Sequence, residues 1–188
     1  MHDKQARLEA IENQILNDNI APQLASSATQ LVYGSGSAEA EVLFIGEAPG
    51  KKEDETGKPF VGAAGKLLDE LLEKIKLHRQ DVYITNIVKY RPLKNRDPSE
   101  AEKKAFWPYL ESQIEVIQPK LIVTLGRHSL NCFLPDLIIS KAHGQLQKMG
   151  KWNILPIYHP AAALYNGSLK STLTKDFQQI PKILKNIK

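Results

Sequence analysis

VLFIGEAPGKKEDETGKPFVGAAGKLL, residues 42–68, changes character twice within 27 residues. Val42, Leu43, Phe44 and Ile45 form an unbroken apolar run. A strand buried on both faces reads this way, because no polar residue alternates with the apolar ones. From Gly46 to Gly62 the chain turns polar and rich in glycine and proline, and reads as a loop. From Ala63 the apolar residues Leu67, Leu68, Leu71, Leu72 and Ile75 recur at helical spacing, which predicts a helix over 63–77. Strand, long loop and helix in this order begin a parallel α/β unit, and the loop between them is expensive to order unless it holds something.

The same alternation continues along the chain. Strands are expected at 82–85, 121–125 and 154–158. Ser99 with Glu102 forms a capping-box pattern that starts a helix reaching about Ile117. A closing helix is expected over 174–187, interrupted early by Pro181. Residues 3–17 pattern as an amphipathic helix with Leu8, Ile11 and Ile15 on one stripe. The expected fold is a three-layer α/β/α sandwich around a four-stranded parallel sheet. It is read as a single domain over 1–188, with 1–30 as an N-terminal helical extension.

Composition sets the outer bounds. The 188 residues are 42% hydrophobic and 24% charged, as in ordinary globular domains. No apolar run approaches the ~20 residues that cross a bilayer. Residues 1–14 are charged and lack the apolar centre of a signal peptide. A cytoplasmic protein is expected. Cys132 is the single cysteine, so neither an intramolecular disulfide nor a cysteine-based metal site can form. A net charge of +4 permits nucleic-acid binding without requiring it.

In open α/β sheets ligands bind beyond the carboxyl ends of the strands. Three polar loops leave such ends, beginning at Gly46, Asn86 and His159. The first carries Glu47, Glu53, Asp54 and Glu55. These fit a solvated loop, or a carboxylate that orients water or stabilises a developing cation. Phe60, between Pro59 and Val61-Gly62, fits a core plug or a platform for a flat ligand. Asn86 offers donors and an acceptor suited to a base edge, and equally fits a turn cap. Lys89, Arg91, Lys94 and Arg96 follow it and would suit phosphates. His159, held extended by Pro160, becomes a candidate donor to a ligand oxygen when set beside the other loops. The first loop matches neither GxGxxG nor the GK[ST] ending of a P-loop.

Taken in order, GEAPGKKEDETGKPFVGAAGKLL (46–68), YITNIVKYRPLKNRDP (83–98) and HPAAAL (159–164) resemble the uracil-DNA glycosylases. The pattern is closest to family 4, the bacterial and archaeal branch, and the likeness runs from about Val32 to Asn166. The resemblance implies hydrolysis of the N-glycosidic bond of deoxyuridine in DNA, with uracil-containing DNA as partner; this chemistry needs no cofactor, and a monomer with no membrane partner is expected. It implies Glu47, Glu53 and His159 as catalytic, and Gly46, Ala48, Phe60, Asn86 and His159 as uracil-binding. Phe60 matches the stacking aromatic, Asn86 the edge-reading amide and His159 the donor to uracil O2. Lys89, Arg91, Lys94, Arg96, Ala161 and Leu164 would face DNA, with Leu164 either the wedge that fills the vacated space or a buried loop anchor. An inactive DNA- or nucleobase-binding member is the alternative, as is a glycosylase for another deaminated base such as hypoxanthine.

The sequence also departs from that family. Ala48 stands where the family 1 motif GQDPYH has its aspartate, and Gly50 where that motif has the tyrosine that blocks thymine. The four cysteines of the family 4 iron–sulfur cluster would fall near Asn19 and Pro22, at Tyr90, and near Ala105. None of these is cysteine, so a cluster-free protein is expected, with Tyr90 filling part of the volume. Tyr165 stands where many relatives have arginine, and Lys170 is the nearby substitute. No histidine lies between Arg91 and Trp107, so turnover is expected rather than covalent trapping on DNA.

Overall fold

A computed structural model describes residues 2–187. In chain order the strands are β1 (Ser35–Gly36), β2 (Val42–Gly46), β3 (Tyr83–Asn86), β4 (Leu121–Leu125), β5 (Gln147–Met149) and β6 (Trp152–Ile157). The helices are α1 (His2–Asn17), α2 (Pro22–Ser27), α3 (Lys51–Thr56), α4 (Ala63–Lys74), α5 (Glu100–Ile117), α6 (Arg127–Phe133), α7 (Ile139–Ala142), α8 (Pro160–Tyr165), α9 (Ser168–Phe177) and α10 (Ile180–Asn186). A single 3-10 turn spans Leu93–Asn95.

The sheet order is β1-β3-β2-β4-β6-β5. The inner four strands, β3, β2, β4 and β6, pair in parallel, as expected. The sheet as a whole is six-stranded and mixed, because β1 and β5 add antiparallel edges. Both edges are two or three residues long with no apolar signal, which is why periodicity does not reveal them. Parallel strands need covered faces, and alternate side chains of β2 feed two separate cores. Leu43 and Ile45 join Leu8, Ile15, Phe106, Leu110 and Phe133 on one face. Val42 and Phe44 join Leu68, Leu71, Leu155, Leu173 and Phe177 on the other. The three-layer sandwich follows from this division.

Two expected boundaries change. Lys51–Thr56, inside the presumed loop, is a helical turn and a half, closed by Gly57 at φ 70°. Its six residues are flanked by glycines, which hid it from a periodicity reading. The closing helix breaks before Pro181, giving α9 and α10 with Pro181 in the first turn of the second, where its missing N–H costs nothing. At the start of α5 the capping box forms as the sequence predicts: Ser99 Oγ accepts from the Glu102 N–H, and the Glu102 carboxylate accepts from the Ser99 N–H.

The N-terminal helices belong to the core. Leu8, Ile15 and Leu24 are buried, and α1 packs on α5. Tyr109 Oη reaches Asp18 at 3.0 Å, and Lys4 Nζ caps the carbonyl of Ile117 at 3.0 Å. Among the described residues no helix is long and apolar enough to cross a membrane. A one-domain protein predicts that Ile15→Ala costs about 2–5 kcal/mol, read as a shifted midpoint in a single urea transition. A separate early transition for the N-terminal helices would contradict it.

Candidate active site

β2 ends at Gly46 and β3 at Asn86, and the two residues are partners in the parallel register. The pairing continues past the strand ends, since the N–H groups of Ile87 and Val88 donate to the carbonyls of Gly46 and Glu47 at 3.0 Å each. The loops after β2 and β3 therefore leave the sheet together. β6 ends at Ile157, which sets His159 beside them. These three loops line one cavity of about 360 Å³, whose walls include Glu47, Glu53, Phe60, Asn86, Asp97 and His159.

The close approach of these groups explains Gly46. A Cβ at that position would lie 2.4 Å from Asn86 Oδ1 and 2.7 Å from the Phe60 ring. Phe60 adopts φ 53°, a left-handed conformation that costs a non-glycine residue about 1–2 kcal/mol. Three neighbours hold it there. Arg79 donates from Nη1 to the Pro59 carbonyl at 2.9 Å and from Nη2 to the Phe60 carbonyl. The N–H groups of Val61 and Gly62 both donate to Glu53 Oε1, at 2.9 and 2.8 Å. Gly65 lets α4 begin against the Phe60 carbonyl, where a Cβ would stand 1.8 Å from that oxygen. The Phe60 ring stacks on His159 with centroids 5.5 Å apart and planes at 29°.

His159 is the N-cap of α8, and its Nδ1 accepts from the Ala161 N–H at 3.1 Å. An accepting Nδ1 leaves the proton of the neutral ring on Nε2. Burial pushes the His159 pKa down to about 4, so the ring is neutral at physiological pH. Asn86 is buried, and its Oδ1 has no hydrogen-bond partner. Buried amide oxygens are rarely left this way, and the exception points to a ligand.

The four carboxylates of the first loop separate into distinct tasks. Asp54 is buried and accepts from the N–H and Oγ1 of Thr29 at 2.8 and 2.9 Å, tying α3 to the segment before β1. Glu55 is exposed and pairs with Lys51 at 3.8 Å. Glu53 supports the Phe60 turn. Glu47 has a buried Oε1 without a hydrogen-bond partner. Desolvation raises its pKa to about 7, and the Asp97 carboxylate adds to the effect against Lys103 and Arg127.

His128 and Asp97 complete the surroundings of Glu47, and sequence reading missed both. His128 Nδ1 lies 3.7 Å from Glu47 Oε1, and its Nε2 lies 3.3 Å from Asp97 Oδ2. His128 follows the carboxyl end of β4, a fourth strand end at which the strand-end rule would have found it. Ligand atoms of Glu47, Asp97 and His128 fall within 4.8 Å of one another. Arg127 Nε already donates to His128 Nε2 at 3.0 Å, and Lys103 adds positive charge, so this cluster carries its own cations. Arg79 had no local signal, being distant in sequence from Phe60.

The remaining expected residues scatter. Ala48 and Ala161 line the cavity, and Gly46 lies against the Asn86 amide and the Phe60 ring. Arg91 is half-buried and donates to Asn95 Oδ1 at 2.8 Å, and Lys94 is exposed. Arg96 is committed to a two-point pair with Glu102, at 2.8 and 2.6 Å, which holds the Glu102 pKa near 2. Leu164 and Tyr165 are exposed on α8, at 50% and 93%. Lys170 pairs with Glu70 at 3.4 Å. Lys89 departs outright from the expected phosphate contact: its side chain is fully buried.

The uracil DNA glycosylase superfamily model matches residues 33–185. The type-4 uracil-DNA glycosylase of Sulfurisphaera tokodaii is 44% identical over 186 residues, covering 94% of this chain and 84% of that protein. That of Saccharolobus solfataricus is 48% identical over 168 residues, covering 81% and 76%. That of Thermotoga maritima is 36% identical over 190 residues, covering 98% of both. The chain belongs to the uracil-DNA glycosylase superfamily.

The iron–sulfur cluster implied by the resemblance does not fit these residues. Tyr90 is buried edge-on against Phe106 with centroids 6.0 Å apart, and no thiol stands at the other three positions. The one thiol, Cys132 on α6, has its pKa pushed up to about 11 by burial, the opposite of a thiolate ligand.

The Phe60 support generates a prediction. Arg79→Met removes the donors to two carbonyls and should cost about 1–3 kcal/mol in chemical denaturation. It should also speed amide hydrogen exchange at Val61 and Gly62. Unchanged exchange there would show that Glu53 and Gly65 alone hold the turn.

Proposed function

We propose that this chain is a monofunctional uracil-DNA glycosylase that hydrolyses the N1–C1′ bond of deoxyuridine in DNA and leaves an abasic site. The observation that carries the reading is the unsatisfied Asn86 Oδ1, buried in the same cavity as a histidine whose tautomer puts its proton on Nε2. A base in a duplex must be rotated out before it can enter such a cavity. Unstacking costs a few kcal/mol, and stacking on Phe60 offsets part of it. Asn86 Oδ1 accepts from uracil N3–H. Cytosine has a lone pair at that nitrogen and would leave both acceptors facing each other, which supplies discrimination.

As the glycosidic bond breaks, its electron pair stays on uracil N1 and positive charge develops on the sugar. His159 Nε2–H donates to O2 and stabilises the anion, as a neutral donor poised at the developing charge. Water adds to C1′, its proton passes to a carboxylate, and the uracil anion is protonated on release. Glu47 is the carboxylate for this role, because Glu53 Oε1 is already engaged by two backbone N–H groups while Glu47 Oε1 is not. Arg91, Lys94 and Ala161 contact the DNA backbone, and Leu164 enters the stack. The enzyme acts as a cytoplasmic monomer on single- or double-stranded DNA, without an iron–sulfur cluster or other cofactor.

The test is excision from a labelled uracil oligonucleotide with a thymine control, followed by alkali cleavage. Asn86→Ala and His159→Ala should each slow single-turnover excision about 100-fold or more; unchanged rates in both would remove the assigned site. The rate should rise with pH through a midpoint near 7 as Glu47 ionises, and Glu47→Gln should abolish that midpoint. His159 stays neutral across this range, since its pKa is pushed down to about 4. For folding the sign is reversed. An acid whose pKa rises on folding stabilises the folded state below its unfolded value near 4.5, and that contribution is lost as pH climbs through about 7.

A further inference from the structure

Among the described residues Lys89 is the one fully buried lysine, and no carboxylate is among its hydrogen-bond partners. Its Nζ lies 2.7 Å from Thr85 Oγ1, 2.7 Å from the main-chain oxygen of Asn86 and 2.6 Å from Gln113 Oε1. All three act as acceptors toward it. Thr85 Oγ1 has its own proton committed to the Tyr33 carbonyl at 2.6 Å. The Asn86 carbonyl has no proton. Gln113 is fixed with Oε1 toward the lysine, because its Nε2 donates to the same Tyr33 carbonyl at 3.4 Å. A neutral amine has two N–H groups and an ammonium has three, so this arrangement is complete only for the ammonium. Burial pulls the pKa of the group well below its usual value, and the three acceptors oppose that pull. The Tyr33 ring, 5.8 Å from Nζ, adds a cation–π contact.

A buried ion is retained only where its partners are fixed, and it fixes them in return. Two of the three partners are Thr85 and Asn86, the last two residues of β3. The Asn86 Oδ1 has no hydrogen bond of its own, so nothing attached to that oxygen sets the direction of the amide. Its aim depends on the main chain that carries it, and Lys89 grips that main chain at the Asn86 carbonyl.

We propose that Lys89 is a positioning residue for base excision, its ammonium clamping the end of β3 so that the Asn86 amide stays aimed into the cavity. The proposal rests on the glycosylase reading above. It replaces the phosphate contact expected from sequence, and the two make opposite predictions. A surface phosphate contact acts on DNA affinity and on its salt dependence. A clamp acts on the rate after binding, and only through Asn86.

The experiment is a double-mutant cycle on Lys89→Met and Asn86→Ala, with single-turnover excision and DNA Kd measured at several salt concentrations. Folding is checked by circular dichroism. Lys89→Met should lower the excision rate at least about tenfold, leave DNA Kd and its salt slope unchanged, and cost nothing further in the Asn86→Ala background. A loss of equal size in both backgrounds would overturn the clamp in favour of general destabilisation. Weakened DNA binding with a shallower salt slope would overturn it in favour of a phosphate contact. Should Lys89→Met not fold, Thr85→Val keeps the side-chain shape and deprives the ammonium of one acceptor. It should slow excision several-fold in the native background alone, and a loss of equal size in the Asn86→Ala background would overturn the clamp. The glycosylase reading fails separately, by an inactive native protein or by Asn86→Ala that excises at the native rate.

Discussion

The site depends on the absence of a Cβ at one point, where β2 and β3 end side by side. Gly46 and Asn86 are register partners, and the space above Gly46 is filled by the Asn86 amide and the Phe60 ring. Any other residue there would push one of them away by overlap with atoms 2.4–2.7 Å distant. The rest of the site keeps those two groups in place. Arg79, Glu53 and Gly65 hold Phe60 in a left-handed conformation, and the Lys89 network holds the Asn86 main chain. Strain at Phe60 is sustained by surroundings that over-determine it, a pattern that clusters at functional sites.

The electrostatics of the cavity favour neutral groups before substrate arrives. Burial drives the His159 pKa down and the Glu47 pKa up, so both lose charge relative to water. For an N-glycosylase this is a suitable resting state. In the proposed reaction the histidine keeps a proton to donate toward a departing anion without bringing a full charge. The Glu47 carboxylate, its pKa raised to about 7, suits the general-base role proposed for it at neutral pH. His128 and Asp97 border Glu47 from the end of β4 and from the loop after β3, and the Asp97 carboxylate adds to the desolvation that raises its pKa.

Much of this was legible in the sequence because the relevant signals are short and local. Apolar runs without alternation gave the four parallel strands, and the strand-end rule placed Phe60, Asn86 and His159 around a single space. What could not be read depends on tertiary contact. β1 and β5 exist only because an edge of the sheet was available to pair with, since Ser35–Gly36 and Gln147–Met149 carry no strand pattern. Lys89 looked like its basic neighbours Arg91, Lys94 and Arg96. Nothing local distinguishes a lysine facing phosphate from one facing Gln113, which lies on α5, 24 residues away. The role of Arg79 is similarly invisible, because it depends on α4 folding back to bring residue 79 against residues 59 and 60. The four acidic residues of the first loop could not be ranked from sequence, and their hydrogen bonds separate them.

The central claim is that the unsatisfied Asn86 oxygen is kept for the edge of uracil. The most direct measurement is a titration of the protein with free uracil and with free cytosine, followed through the side-chain amide resonance of Asn86. Uracil should move that resonance saturably, and cytosine should leave it unmoved at the same concentrations. Saturable uracil binding that leaves the Asn86 amide undisturbed, or equal responses to the two bases, would contradict the account.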